Sequence, residues 1–394
     1  MLPVRTPEDI KPTNPFIFPT GTVKLLATYK GQSIVGSVSA DALVLASPVW
    51  KKFLFPPWMD NSEQEQARDV KQREVDCTED DGEALLILLN IAHLNFGDVP
   101  ANLKYSTLLG IAVLIDQYDC IKIVRPWLES WMKNEKEESL KANQDGWLFI
   151  SWVFGRETTF SALARHMKVI LVPGNLIAEP MPPGIIASIV ECRKQALNQM
   201  LIVPYSRLDT LERAMRSSTP ACSVGGRESK VCDAAQYGSI IFGLTIGSIS
   251  LYPRRGPELL ECSVSSVADL LSKIQLHHIK PEPVTVTTAD YGDEFFTARL
   301  AQSLYKTGRS HKKSRGRHGL GWATNDYDEF GQSEVESKDQ DLREQQPNPR
   351  DHSRCAISVS ASVARILDDI QNPMLDSHRV HMRLQRGEAV MPIA

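Results

Sequence analysis

From Thr22 to Tyr29 apolar Val23, Leu25, Ala27 and Tyr29 take every second position, the period of a half-buried strand. Lys30-Gly31-Gln32 reads as a turn, and Ser33–Val38 returns as a second strand of a hairpin. Ser47 stands directly before Pro48, a capping hydroxyl followed by proline at the first helical position, and Val49, Trp50, Phe53 and Leu54 follow at helical spacing. Pro56-Pro57 ends that helix, Asn61–Asp69 is a polar loop, and Val70–Val75 reads as an edge strand. Thr78 then offers a cap, with acids behind it where a helix dipole favours them. The body that follows, EALLILLNIAHLNF, is apolar almost all round, which predicts a central, buried helix.

Helical patterns continue at STLLGIAVLIDQY from Ser106 and at Ile121–Lys133, where Trp127 and Trp131 lie one turn apart. They recur over Glu157–Val172, Gly184–Leu201, Leu208–Arg216, from Cys232, and over Ser265–His277. Lys306–His318 then carries six Lys or Arg and no acid, and Asp326–Glu344 carries eight acids against two bases. Charge segregated in this way, with no apolar period, buries too little surface to offset chain entropy and predicts disorder. Ala356–Ile370 and Met374–Arg386 read as closing amphipathic helices.

Composition narrows the class. The 394 residues are 42% hydrophobic and carry a net charge of −4, a globular balance that argues against general nucleic-acid binding. Seven cysteines, an odd number with no C-x-x-C pair, argue against a secreted disulfide scaffold and for a reducing, intracellular setting, in cytoplasm or nucleus. The polar, proline-rich first 19 residues have no apolar run of the signal-peptide kind. Ala234–Pro253 is uncharged but rich in small polar residues, so it is expected as a core helix running into a loop, not a membrane span.

The first 135 residues thus run hairpin, two short helices, third strand, then long apolar helices. VSADALVLASPVWKKFLF (38–55), CTEDDGEALLILLNIAHLNFGDVP (77–100) and LLGIAVLIDQYDCIKIVRPWLESWM (108–132), in that order, resemble the BTB/POZ domain, in its divergent filamentous-fungal form. The resemblance implies an α+β fold with a BTB/POZ-like domain of short strands packed with helices; with the patterns read above, a mostly α-helical region with a disordered charged insertion follows it. The boundaries drawn from it are 1–19 irregular lead-in, 20–136 BTB/POZ-like domain, 137–283 helical domain, 284–350 insertion, and 351–394 C-terminal helices rejoining the helical domain. It also implies a non-enzymatic role in docking other proteins or a second copy of the chain, with a cullin-type ubiquitin ligase adaptor as the alternative. The family's usual Asp at the first strand and its His are replaced by Thr22 and Ser39, and Pro56-Pro57 interrupts the segment that meets cullins.

The chain carries no G-x-S-x-G, H-E-x-x-H or Walker loop, which argues against an enzyme. A lone His93 on an apolar helix is more often a hydrogen-bonded core residue than a base. Cys222 and Cys232, with nine residues between them, and His352-x-x-Cys355 could together supply a Cys3His shell for structural zinc; the bland alternative is ordinary buried thiols beside a surface histidine. The basic cluster His311–Arg317 reads as a nuclear import signal in a nuclear regulatory protein, or as a solvated linker. Val49, Phe53, Phe55 and Trp58 are the candidate partner contacts, Trp50 and Phe53 being the two expected to sit in the domain core.

Overall fold

The computed structural model describes residues 14–56, 73–174, 178–247, 249–277 and 352–389. Trp58, the polar loop Asn61–Asp69, the charged insertion and the basic cluster His311–Arg317 lie outside the described residues. The architecture is mixed α+β, with one three-stranded sheet among many helices.

The hairpin forms as the alternation predicts. β1 (Val23–Tyr29) pairs antiparallel with β2 (Gln32–Val38), Tyr29 facing Gln32 across a two-residue turn. Lys30 and Gly31 both take positive φ, 51° and 76°, the backbone that follows strand twist and that glycine adopts without penalty. α1 (Ala40–Ala46) and α2 (Pro48–Leu54) then carry the chain over to β3 (Arg73–Cys77), which lies parallel to β1 with Val75 opposite Leu25. The sheet order β2-β1-β3 leaves β3 at an edge, as expected, and β3 ends at Cys77, two residues beyond the end that the pattern gave it.

Ser47 is the hinge of this unit. It ends α1 and caps α2, its Oγ accepting from the N–H groups of Val49 and Trp50 at 3.1 and 3.0 Å while donating to the Tyr118 carbonyl. Because Ser47 is fully buried, Ser47→Ala removes a cap and strands a buried carbonyl together. The expected loss is about 2 kcal/mol or more, read from denaturant midpoints; an unchanged midpoint would contradict this role.

α3 (Gly82–Ala92) starts differently from expectation. Asp81, not Thr78, caps it, accepting from the Ala84 N–H at 2.8 Å, because Asp76 already holds the Thr78 amide and hydroxyl at 3.0 and 2.7 Å. The helix also stops at Ala92, where Leu94 takes positive φ, instead of running on to Phe96. His93 at its end is fully engaged: the Ser39 N–H donates to Nε2 at 2.9 Å, which leaves Nδ1 to donate to the Leu89 carbonyl at 2.8 Å. Its ring stacks on Phe18, and burial holds its pKa below the usual histidine range, so it is a neutral structural residue.

α4 (Tyr105–Tyr118), α5 (Ile121–Trp131), the single turn α6 (Glu135–Glu138), α7 (Trp147–Val153) and α8 (Glu157–Ile170) follow. One apolar core runs from Phe16 to Ile189 and draws on each of these elements except the α6 turn, so it continues past residue 136. α9 (Ile185–Ser217) joins into one 33-residue helix the two segments expected on either side of Pro204. The proline forgoes one backbone bond, but Leu197, Met200, Leu201, Pro204, Leu208 and Leu211 keep one buried face on both sides of it.

A second core gathers along that face. It begins at Ala196 and takes in α10 (Ser229–Thr245), α11 (Val264–Ser272) and, from the far side of the undescribed segment, Val359 and Val363 of α12 (Val359–Asp369). The chain then returns to the first core, where α13 (Asp376–Arg386) inserts Met382 beside the earlier Met374. Lys168 secures the crossing, its Nζ donating to the carbonyls of Ile370 and Gln371 at 2.9 and 3.0 Å at the end of α12. No helix among the described residues is long and apolar enough to cross a membrane.

Candidate metal centre

Three separate stretches converge on one buried point. Cys222 follows α9 in a loop, Cys232 sits on the first turn of α10, and His352 and Cys355 bracket a single 3-10 turn after the undescribed segment. The four residues are 7%, 0%, 1% and 7% exposed, and their ligand atoms all lie within 4.8 Å of one another. Cys222 Sγ is 3.5 Å from Cys355 Sγ and 3.2 Å from His352 Nδ1. The edge of a tetrahedral zinc site built from 2.3 Å zinc–sulfur bonds is about 3.8 Å, so the donor spacing fits such an ion. The sequence pairing of these residues is therefore matched in space, over more than a hundred residues of chain.

Local structure explains why the donors stay put. Asp233, itself buried, accepts the Ala221 N–H at 2.8 Å on Oδ2 and so fixes the loop just before Cys222. Gln236 lies one turn after Cys232 and donates from Nε2 to Cys232 Sγ at 3.2 Å. With Nδ1 of His352 facing the thiols, its Nε2 faces Glu228 Oε2 at 3.6 Å, the carboxylate–histidine arrangement that orients metal-bound imidazoles.

The thiols respond to these surroundings in opposite directions. Burial pushes Cys232 up to about 12. Burial also works against ionising Cys355, but the Ser223 hydroxyl, Cys222 and the backbone N–H groups of Ser223 and Val224 hold it below the usual thiol range. A divalent ion would override the first effect, since a coordinating thiol is deprotonated outright. Elsewhere burial pushes Cys77 and Cys120 up to about 12, leaving both as inert core thiols.

The candidate partner contacts divide. Trp50 is 1% exposed and packs on Tyr118, with ring centroids 4.8 Å apart, as expected of a core residue. Phe53 departs from the core placement expected for it: it is 58% exposed, and Leu45 on α1 is 86% exposed. Val49 and Phe55 are half-buried, and the Phe55 ring lies 4.0 Å under the Arg73 guanidinium. The Trp pair of α5 packs locally, Trp127 on Phe96 and the Trp131 indole N–H donating to the Pro100 carbonyl at 2.8 Å.

Gln236, Asp233 and Glu228 escaped sequence reading, although Gln236 was findable, lying four residues after Cys232 on the same helical face. Comparison of the chain with protein-family models, curated proteins and solved structures finds no match.

Proposed function

We propose that this chain is a non-enzymatic protein-interaction protein, with a BTB/POZ-like N-terminal unit that meets partners and a C-terminal core held together by structural zinc. The observation that carries the reading is the convergence of Cys222, Cys232, His352 and Cys355: four buried protein donors whose ligand atoms lie within 4.8 Å of one another, the number that a closed tetrahedral zinc shell needs. A catalytic zinc keeps one position for water or substrate, whereas a structural zinc does not. Such an ion would join the loop after α9, the helix α10 and the segment leading into α12, and so fasten the chain's C-terminal part to the second core.

Support for the BTB-like reading is topological. A hairpin, a pair of short helices, a parallel third strand and an apolar helical pair follow in the order the resemblance implies. Beside them, Phe53 and Leu45 present large apolar side chains to solvent, the kind of surface that protein partners cover. A photo-crosslinking residue placed at position 53 of the intact chain is expected to capture another polypeptide on irradiation in cells. The same residue at buried Trp50 serves as the control. Failure of position 53 to give any adduct would overturn the docking role.

A further inference from the structure

The zinc reading leaves a charge to be explained. Zinc with three thiolates and a neutral imidazole carries one net negative charge, and buried Asp233 lies next to Cys232 in the chain with no hydrogen-bond partner for its Oδ1 among the described residues. Glu228, facing His352 Nε2, adds a carboxylate at the solvent edge. The cation that reaches into this group is Arg207 of α9. Its Nε and Nη2 both donate to Gln236 Oε1, at 3.2 and 2.6 Å, and Nη2 also donates to the Cys355 carbonyl at 2.9 Å. Gln236 is fully buried, and its other end donates to Cys232 Sγ at 3.2 Å.

We propose that Arg207 is a positioning residue of the metal centre, fixing Cys232 through Gln236 and Cys355 through its backbone, and offsetting the negative charge of a three-thiolate site. The inference rests on the zinc reading and deepens it. Half-buried Arg207 makes no ion pair with a carboxylate among the described residues, so its charge is not spent on an acid. Its fork instead spans two ligand-bearing elements from a third, the geometry of an outer shell that orients ligands. The Gln236 amide is oriented by the same contact: with Oε1 held by Arg207, Nε2 is the atom left to face sulfur.

The test uses the full-length chain and zinc itself, with affinity read by competition against a chromophoric chelator. Arg207→Met is expected to weaken zinc binding about ten- to a hundredfold, and Arg207→Lys to recover part of the loss through charge alone. Gln236→Glu keeps the volume and satisfies the guanidinium, but removes the N–H that reaches Cys232, so it is expected to weaken binding even if Arg207→Met does not fold. In the cobalt-loaded protein, both Arg207→Met and Gln236→Glu should shift the thiolate charge-transfer bands, which a contribution to folding alone would leave in place. Variants that hold zinc as tightly as wild type, with an unshifted cobalt spectrum, overturn the role of Arg207 and leave the zinc reading standing. A wild-type chain that takes up no zinc overturns both.

Discussion

Stripping the metal from the full-length chain with a chelator is expected to lower its thermal midpoint by roughly 8–16 °C. The magnitude follows from linkage: a ligand present at a thousand times its Kd stabilises the folded state by about 4 kcal/mol, and a domain of 150–250 residues shifts by about 2–4 °C for each kcal/mol. The loss should fall on the second core first. Val359 and Val363 belong to that core and lie just beyond His352 and Cys355, so freeing those two ligands loosens the start of α12. Cys355→Ser should reproduce the shift without chelator, and chelator should then add nothing. The stabilisation should also fade as pH falls, since thiols and imidazole bind metal only when deprotonated. A midpoint indifferent to chelator in the wild-type chain would contradict a structural ion.

The second large effect separates two neighbours on α2. Trp50→Ala is expected to cost about 3–5 kcal/mol, the range for deleting a fully buried large aromatic. The indole is fully enclosed and packs at a tilt against the ring of Tyr118, whose carbonyl holds Ser47, so the cavity would open where α1, α2 and α4 meet. Phe53→Ala, three residues on, should change stability by no more than about 0.5 kcal/mol, because its ring already faces solvent. Chemical denaturation of the two variants side by side decides the matter. Equal losses would mean that Phe53 is covered in the folded chain and is not a free surface.

That contrast shows how far a sequence pattern reaches. Spacing alone puts Val49, Trp50, Phe53 and Leu54 on a helix, but at about 100° per residue Trp50 and Leu54 lie closer together than either does to Phe53's far edge of the stripe. Which edge is covered depends on neighbours distant in the chain, here Tyr118, and no local signal carries that. The hairpin was legible because alternation and a Lys-Gly turn are local facts, and Ser47 because a hydroxyl before proline has one common use. The cap of α3 was misplaced at Thr78 because Asp76 competes for that residue, a contest visible only in three dimensions.

The helix α7 went unread because WLFISWV is buried on every side, and a segment without a polar face has no period to detect. Local propensity at Pro204 predicts two helices where the fold has one, because the buried face on both sides of the proline prevails. The four candidate ligands were legible as residue types, and the fold brings their ligand atoms within 4.8 Å of one another in a buried cluster. Their outer contacts were hidden, because Arg207 approaches from a helix with no ligand of its own.

The measurement that bears most directly on the central claim is the metal content of the full-length protein, purified without added metal and read by mass spectrometry of the elements alongside Cys355→Ser. The account predicts about one zinc per chain in the wild type and essentially none in the variant. A wild-type chain free of zinc, or a variant that keeps it, would contradict the account.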